Sequence, residues 1–317
     1  MSDDPNLELG PGGEFDTIRV MLARWGALAH GVGDDAALLD VPAGSRLAVS
    51  TDTSVENVHF RRGWLAPEEI AYRAVAAALS DLAAMGAAPL GVVLAVTLTD
   101  QWRAEAARLA DGFGAAAREL SVPIVGGDLT RGSELAIGVT VLGAVEHAIV
   151  RSGARAGDTM WVTGRLGGPA LALRALEAGQ VPAPEHRERF AHPVPRLREG
   201  RWLAAHGATA AIDCSDGVAA DASHLAAASS VRVTLDLERL PLVPGATPGD
   251  AAAGGEEYEL IVTAPATLDR RAFELEFGVP LTAIGHVGPA GAGGAGVDAL
   301  EGARRVPLPR GHSHFSG

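Results

Sequence analysis

The chain has 317 residues, 47% of them hydrophobic and 21% charged, with 26 basic against 39 acidic side chains and a net charge of −13. That composition suits a globular protein of one large or two ordinary domains. The negative balance argues against non-specific binding to nucleic acid or to anionic membranes. The one cysteine, Cys214, excludes an intrachain disulfide and fits a reducing compartment. No apolar run is long enough to span a bilayer. The acidic, Gly/Pro-rich start, Met1 to Gly13, resembles neither a signal nor a transit peptide. The expected location is the cytoplasm.

All 26 basic residues are arginine. A G-x-x-x-x-G-K-[ST] phosphate loop and the strand lysine of protein kinases are therefore excluded. A phosphorylated ligand would have to be met by arginine, backbone amides and metals, since a metal inverts the local charge.

In chain order, Phe15 to Trp25 has helical periodicity, with Phe15, Ile18, Leu22 and Trp25 on one side. Gly31 to Leu39 runs two glycines into Asp34 and Asp35 before an apolar strand. It reads either as a Gly-Asp turn or as a loop presenting Asp35 to a metal. Arg46 to Val49 reads as a strand ending in Ser50, Thr51 and Asp52, three oxygen-bearing side chains in a row. Such clusters of hard oxygen donors suit Mg²⁺. Pro67 to Met85 is a helix, with Pro67, Glu68 and Glu69 in its first turn and Gly86 as its stop. Within it Asp81 projects from an alanine-lined face, where a carboxylate requires a metal or an arginine partner.

Leu90 to Thr99 reads as a strand, Trp102 to Leu120 as an amphipathic helix, and Val122 to Val125 as a strand ending in Gly126-Gly127-Asp128. Leu135 to Val145 is a further strand. Strands and helices mix without strict alternation, so the fold class is α+β. The polar connector Val150 to Asp158 marks a boundary between domains 1–149 and 150–317. Beyond it, Thr159 to Thr163 is a strand and Gly164 to Gly168 a glycine-rich loop leading into a helix, a weak phosphate signal. Ala210 to Ile212 enters Asp213-Cys214-Ser215-Asp216-Gly217, then a helix to about Ala228. Asp216 reads as a helix cap or a ligand; Asp213 has no capping role. Strands at Val231 to Leu237 and Tyr258 to Val262 flank an acidic turn at Gly254 to Glu259. The tail from Gly288 is rich in Gly and Pro and reads as loosely ordered.

Asp35, Asp52, Asp81, Asp128, Asp213 and Asp216 together are what a site holding several metals and a phosphate requires. The ordered set Gly33-Asp34-Asp35, Ser50-Thr51-Asp52-Thr53, Asn57-Val58-His59-Phe60, Leu79 to Gly86, Gly126-Gly127-Asp128, Arg151 to Ala154, Asp213 to Gly217 and Gly255 to Leu260 resembles the thiamine-monophosphate kinase family. That family belongs to the aminoimidazole-ribonucleotide synthetase-like superfamily. The resemblance runs from about Phe15 to Gly285.

The resemblance implies a two-domain α+β fold and a homodimer formed through the sheet of the N-terminal domain. It implies Mg²⁺-dependent transfer from ATP to thiamine monophosphate, the last step of thiamine diphosphate biosynthesis. It puts several Mg²⁺ ions on Asp35, Ser50, Thr51, Asp52, Asp81, Asp128, Asp213 and Asp216. It puts ATP against Gly127, Asp128, Arg151 and Ser215, and thiamine phosphate near His59, Glu257 and Phe315. Two departures stand out: Glu257 occupies a usual Asp position, displacing the charge by about 1.5 Å, and Cys214 replaces an aliphatic residue as a small buried hydrophobe. The rival expectations are an amidine-forming synthetase of the same superfamily, against which Asn57 to Phe60 counts, and a non-catalytic nucleotide- or metal-binding paralogue.

The chemistry also follows from general principles. A phosphate monoester has a second pKa near ~6, so its oxygen is already ionised at neutral pH and needs no general base. The obstacle is repulsion between two polyanions, which metals and an arginine such as Arg151 reduce.

Overall fold

The computed structural model describes residues 12–33 and 35–311. They divide into two compact units, one from the described part of Met1–Leu82 with Ala88–Glu146, the other from Ala83–Ala87 with the chain from His147 onward. No helix among the described residues is long and apolar enough to cross a membrane.

The first unit contains α1 (Gly13–Trp25), β1 (Arg46–Val55), α2 (Pro67–Ala84), β2 (Ala88–Leu98), α3 (Asp100–Arg103), α4 (Ala106–Glu119), β3 (Ile124–Arg131) and β4 (Ala136–Val145). Its four-stranded sheet has the order β1-β4-β2-β3, so β1 and β3 are the two edges. β4 runs antiparallel to β1 and β2, and β3 parallel to β2. Ile137, Val139 and Val141 of β4 are buried on one face, where Leu82 of α2 rests against Gly143. The other face carries Leu47 and Val49, 47% and 58% exposed, beside Thr51 and Thr53. α2 is buried almost all round because alanine dominates its surface.

The second unit contains β5 (Thr159–Thr163), α5 (Gly168–Glu177), α6 (Pro184–Ala191), α7 (Leu197–Ala205), β6 (Ala210–Asp213), α8 (Val218–Ser229), β7 (Val231–Asp236), α9 (Pro248–Ala253), β8 (Leu260–Ala264), α10 (Arg270–Phe277), β9 (Leu281–Pro289), β10 (Gly296–Glu301) and β11 (Arg304–Val306). Its sheet has the order β11-β10-β7-β9-β5-β8-β6. β8 is buried along its whole length, whereas β7, also an interior strand, alternates Val231, Val233 and Leu235 inward with polar residues between. Leu225 and Val218 of α8 close this core.

Several expected boundaries move. β1 continues through Ser50, Thr51 and Asp52 to Val55, because β4 pairs with it at every step. Polar side chains are tolerated there since an edge strand is half solvated. β3 likewise runs through Gly126, Gly127 and Asp128. No strand forms over residues 36–45. The Trp102 to Leu120 helix is two segments, α3 and α4. The buried side of α1 is Thr17, Met21 and Trp25, while Phe15 is 36% exposed. Within the described part of the tail, Gly296–Glu301 and Arg304–Val306 form the β10–β11 hairpin, tied to β7 by Arg232, whose guanidinium donates to both carboxylate oxygens of Asp298 at 2.7 and 2.6 Å.

Candidate active site

In the first unit the sequence-derived residues fall into two groups. Along β1, successive side chains alternate faces. Ser50 and Asp52 pair in register with Val141 and Val139, on the face that α2 covers. Ser50 donates its hydroxyl to Asp81 Oδ2 at 2.5 Å, which brings the strand donors to the one carboxylate on the alanine-lined helix. Asp52 Oδ1 accepts from the Thr53 amide at 2.8 Å. Thr51 faces the other way and accepts from Thr140 at 3.2 Å.

The second group surrounds a cavity of about 310 Å³ between α1, α4 and the edge strand β3. Asp35, Gly126, Gly127 and Asp128 line one part of it, and Phe15, Ile18, Met21, Trp25 and Phe113 another. Gly127 is required by packing, because a Cβ there would collide with the Leu94 carbonyl of the neighbouring strand.

His59 follows β1. The Val55 amide donates to His59 Nδ1 at 3.1 Å, which assigns the neutral ring's proton to Nε2. Arg73 donates to the His59 carbonyl at 3.2 Å and fixes the turn.

In the second unit, the β6–α8 turn presents Asp213, Ser215 and Asp216. Asp213 is buried, and Ser215 and Asp216 are half-buried. The acidic turn before β8 crosses this segment: Glu256 donates its amide to the Ser215 carbonyl at 2.8 Å, and Glu257 and Tyr258 donate theirs to that of Cys214. Glu256 and Tyr258 hold φ of 69° and 52°, a left-handed conformation disfavoured for L side chains. That strain is sustained by these bonds and orients Glu257 inward.

Glu257 Oε1 accepts from the Gly167 amide, and Oε2 has no hydrogen-bond partner. Burial pushes its carboxyl up to about 8, with the Gly167 amide and Arg189 opposing. The Cys214 thiol is fully buried and is likewise pushed well above its ordinary range by burial. Arg151 is exposed in a short turn whose carbonyl accepts from Ser229 at 2.6 Å. Phe315 lies outside the described residues, as does Asp34.

Asp221 was missed by the sequence reading. It is 1% exposed on α8 and accepts from the Asp216 amide at 3.1 Å. Burial first, then the neighbouring Asp213 and Asp216 charges, push its carboxyl up to about 8. A carboxylate inside an alanine-rich helix is the signal that singled out Asp81, and it was present here too. Also missed was Glu259, which is 2% exposed. It accepts from Arg196 at 2.7 and 2.6 Å and from Thr163 at 2.7 Å. No local spacing links those residues.

Among the described residues, no three His, Cys, Asp or Glu side chains gather around a point able to hold a metal. The donors nevertheless fit Mg²⁺ chemically. They are hydroxyls and carboxylates, and the Asp213 and Asp216 charges that add to burial in raising Asp221 would be offset by a cation.

Comparison with known proteins identifies relatives of the whole chain. The family described as AIR synthase related protein, N-terminal domain, matches residues 33–145. Thiamine-monophosphate kinase of Escherichia coli O157:H7 is 38% identical over 274 residues, covering 81% of this chain and 83% of its own. The crystal structure of thiamine-monophosphate kinase from Stenotrophomonas maltophilia K279a superposes with a TM-score of 0.78 at 35% identity, covering 92% of this chain and 96% of that one. AaThiL complexed with AMPPCP and TMP gives a TM-score of 0.75 at 27% identity, over 96% and 97% of the two chains. With sequence likeness of this extent and the same fold throughout, the chain belongs to the thiamine-monophosphate kinase family.

Proposed function

We propose that this protein transfers the γ-phosphoryl group of ATP directly to the phosphate of thiamine monophosphate, giving thiamine diphosphate and ADP. The carrying observation is the identity of over 30% to enzymes of that name across four-fifths of the chain. The solved relative with AMPPCP and TMP bound supports the same pair of substrates.

The acidic and hydroxyl side chains Asp35, Ser50, Thr51, Asp52, Asp81, Asp128, Asp213 and Asp216 are the proposed holders of Mg²⁺. When bound, Mg²⁺ supplies neutralisation of the facing phosphates and their alignment. Gly127, Asp128, Arg151 and Ser215 are assigned to ATP. Arg151 has its guanidinium in an exposed turn, where it is accessible to a phosphate. His59, Glu257 and Phe315 are assigned to thiamine monophosphate.

Two observations support a mechanism without a general base. The Nδ1 of His59 is engaged by the Val55 amide, so the neutral ring offers an Nε2–H donor. Glu257, with its carboxyl near 8, is protonated at neutral pH and offers an O–H from Oε2. Both groups therefore donate to a ligand and neither removes a proton from it. An ionised phosphate oxygen needs no such removal.

This proposal assigns metal, ATP and dimer contacts to residues 1–149, and further nucleotide and substrate residues to 150–317. The homodimer is supported by the sheet face bearing exposed Leu47 and Val49, which a second copy would cover. The single cysteine and acidic charge support a cytoplasmic location.

The test is an assay of thiamine monophosphate, free thiamine and a panel of phosphorylated metabolites as acceptors, with the His59→Gln variant alongside. Phosphorylation of thiamine monophosphate alone is expected. Efficient turnover of free thiamine that His59→Gln abolishes would overturn the base-free mechanism. Preference for another metabolite would overturn the substrate.

A further inference from the structure

We infer that Glu56 and Arg73 are positioning residues for the thiamine monophosphate end of the reaction, acting through His59. The inference deepens the proposed function and rests on its placing of His59 against that substrate.

His59 sits in a turn that closes where β1 ends. The Glu56 amide donates to the Leu135 carbonyl at 2.9 Å, the Asn57 amide to the Phe60 carbonyl at 2.7 Å and the His59 amide to the Val55 carbonyl at 2.9 Å. Asn57 holds φ of 66°, a left-handed conformation that asparagine tolerates better than most residues. Phe60 is buried and pins the end of the turn in the core, while Val58 at its tip is exposed. These backbone bonds are enough to connect β1 to α2.

Two charged side chains are added to them. Glu56 is half-buried, and its Oε2 accepts from the indole N–H of Trp102 on α3 at 2.9 Å and from the Leu135 amide at 3.2 Å. Trp102 is itself buried, so packing fixes the donor. Arg73 on α2 is 3% exposed and donates to the His59 carbonyl at 3.2 Å. An ionised partner makes such hydrogen bonds stronger than neutral ones. Burying charge is costly, and here two charges from separate elements are directed at one short turn.

Their effect converges on one side chain. The His59 carbonyl accepts from Arg73, and its ring Nδ1 accepts from the Val55 amide at 3.1 Å, beside Glu56. The ring is thereby fixed in place and in tautomer, with its proton on Nε2. Displacing a substrate-holding group by about 1 Å costs on the order of 10²-fold. Asp81, among the proposed metal holders, lies about 12 Å further along α2. Loss of Arg73 should therefore be felt by thiamine monophosphate and not by the nucleotide.

The experiment measures KM for thiamine monophosphate and for ATP in wild type, Glu56→Ala and Arg73→Met. The conservative Glu56→Gln and Arg73→Lys run alongside, and each variant is also made in a His59→Gln background. The His59 ring tautomer of the ligand-free proteins is read by ¹⁵N NMR. Glu56→Ala and Arg73→Met should raise KM for thiamine monophosphate about tenfold or more. KM for ATP should stay within about twofold of wild type, and the conservative variants should recover most of the loss. Without His59 the same substitutions should add less than about twofold, because the group they act through is gone. The tautomer should be Nε2–H in wild type and mixed in both disruptive variants. An unchanged KM for thiamine monophosphate, equal rises for both substrates, or a full effect in the His59→Gln background would overturn the inference. Arg73 is buried, so if its variants fail to fold, the half-buried Glu56 position decides. A wild type that forms no thiamine diphosphate would sink the proposed reaction, and the tautomer would still decide the positioning. A mixture in the variants supports it, and the wild-type tautomer throughout overturns it.

Discussion

Two acidic clusters lie close together in the second unit and are treated oppositely by the chain. Glu259 is nearly inaccessible, and the protein meets it with the bidentate guanidinium of Arg196, the hydroxyl of Thr163 and, at 3.5 Å, Arg189. Burial works against the charge on Arg196, but Glu259 more than offsets it and holds the guanidinium above its ordinary value. Arg189 also donates to the Arg165 carbonyl, so the network reaches the glycine-rich loop before α5. Gly164, with φ of +66°, is required there because any Cβ would overlap the Glu259 carboxylate.

The Asp213–Asp216–Asp221 cluster is built differently. Burial first, and the charges of Asp213 and Asp216 after it, drive the Asp221 carboxyl up to about 8. We read the contrast as separating a carboxylate that the fold neutralises itself from carboxylates that a cation arriving with the substrate would meet.

That contrast is sharpest where an internal cation is removed. Arg196→Ala leaves the buried Glu259 carboxylate without its bidentate partner. Such losses cost about 3–5 kcal/mol. Urea denaturation should show that destabilisation, and a change below about 1 kcal/mol would break the distinction between the two clusters.

Glu257 gives the next effect. Its folded carboxyl sits near 8, raised from an ordinary value of 4.5. Between those values the folded protein binds a proton that the unfolded chain has released, so stability is full below about 4.5 and falls as pH rises toward 8. The slope reaches at most about 1.4 kcal/mol per pH unit. Glu257→Gln keeps an acceptor for the Gly167 amide and has no such titration. Denaturation midpoints from pH 5 to 8 should therefore fall more steeply for wild type than for the variant. Parallel profiles would show that burial does not hold this proton.

The smallest effect concerns the cluster itself. Above pH 8, where Asp221 is ionised, Asp213→Asn removes a like charge acting on it and should stabilise the metal-free protein by on the order of 1 kcal/mol. The same change should remove the stabilisation that Mg²⁺ and ATP give together, and with it turnover. A variant that gains nothing without metal and keeps normal turnover would mean that Asp213 belongs with the structural acids.

Much of this was legible in the residues. Asp81 was readable because a carboxylate on an alanine-lined helix requires a partner, and Ser50 supplies one. Asp221 is equally readable by that rule, since it lies on the alanine-rich α8. The strand ends were misread for a physical reason. Ser50 to Asp52 and Gly126 to Asp128 look like terminations, yet both lie within edge strands, where one side is solvated and polar residues persist. The Glu259–Arg196 pair spans 63 residues, and only the folded β5–β8 pairing brings the Thr163 hydroxyl to the same carboxylate. No pattern of local periodicity encodes such a meeting. The cavity beside β3 was hidden likewise, because α1 was expected to turn Phe15 inward, whereas Thr17, Met21 and Trp25 form its buried side.

The most direct test of the central claim follows thiamine diphosphate formation from thiamine monophosphate and ATP across a titration of free Mg²⁺. The Asp213–Asp216–Asp221 cluster, read as a site for a cation arriving with the substrates, predicts product only when the divalent ion is present, with the rate rising as Mg²⁺ is added. Formation of thiamine diphosphate at an undiminished rate in excess chelator would contradict it.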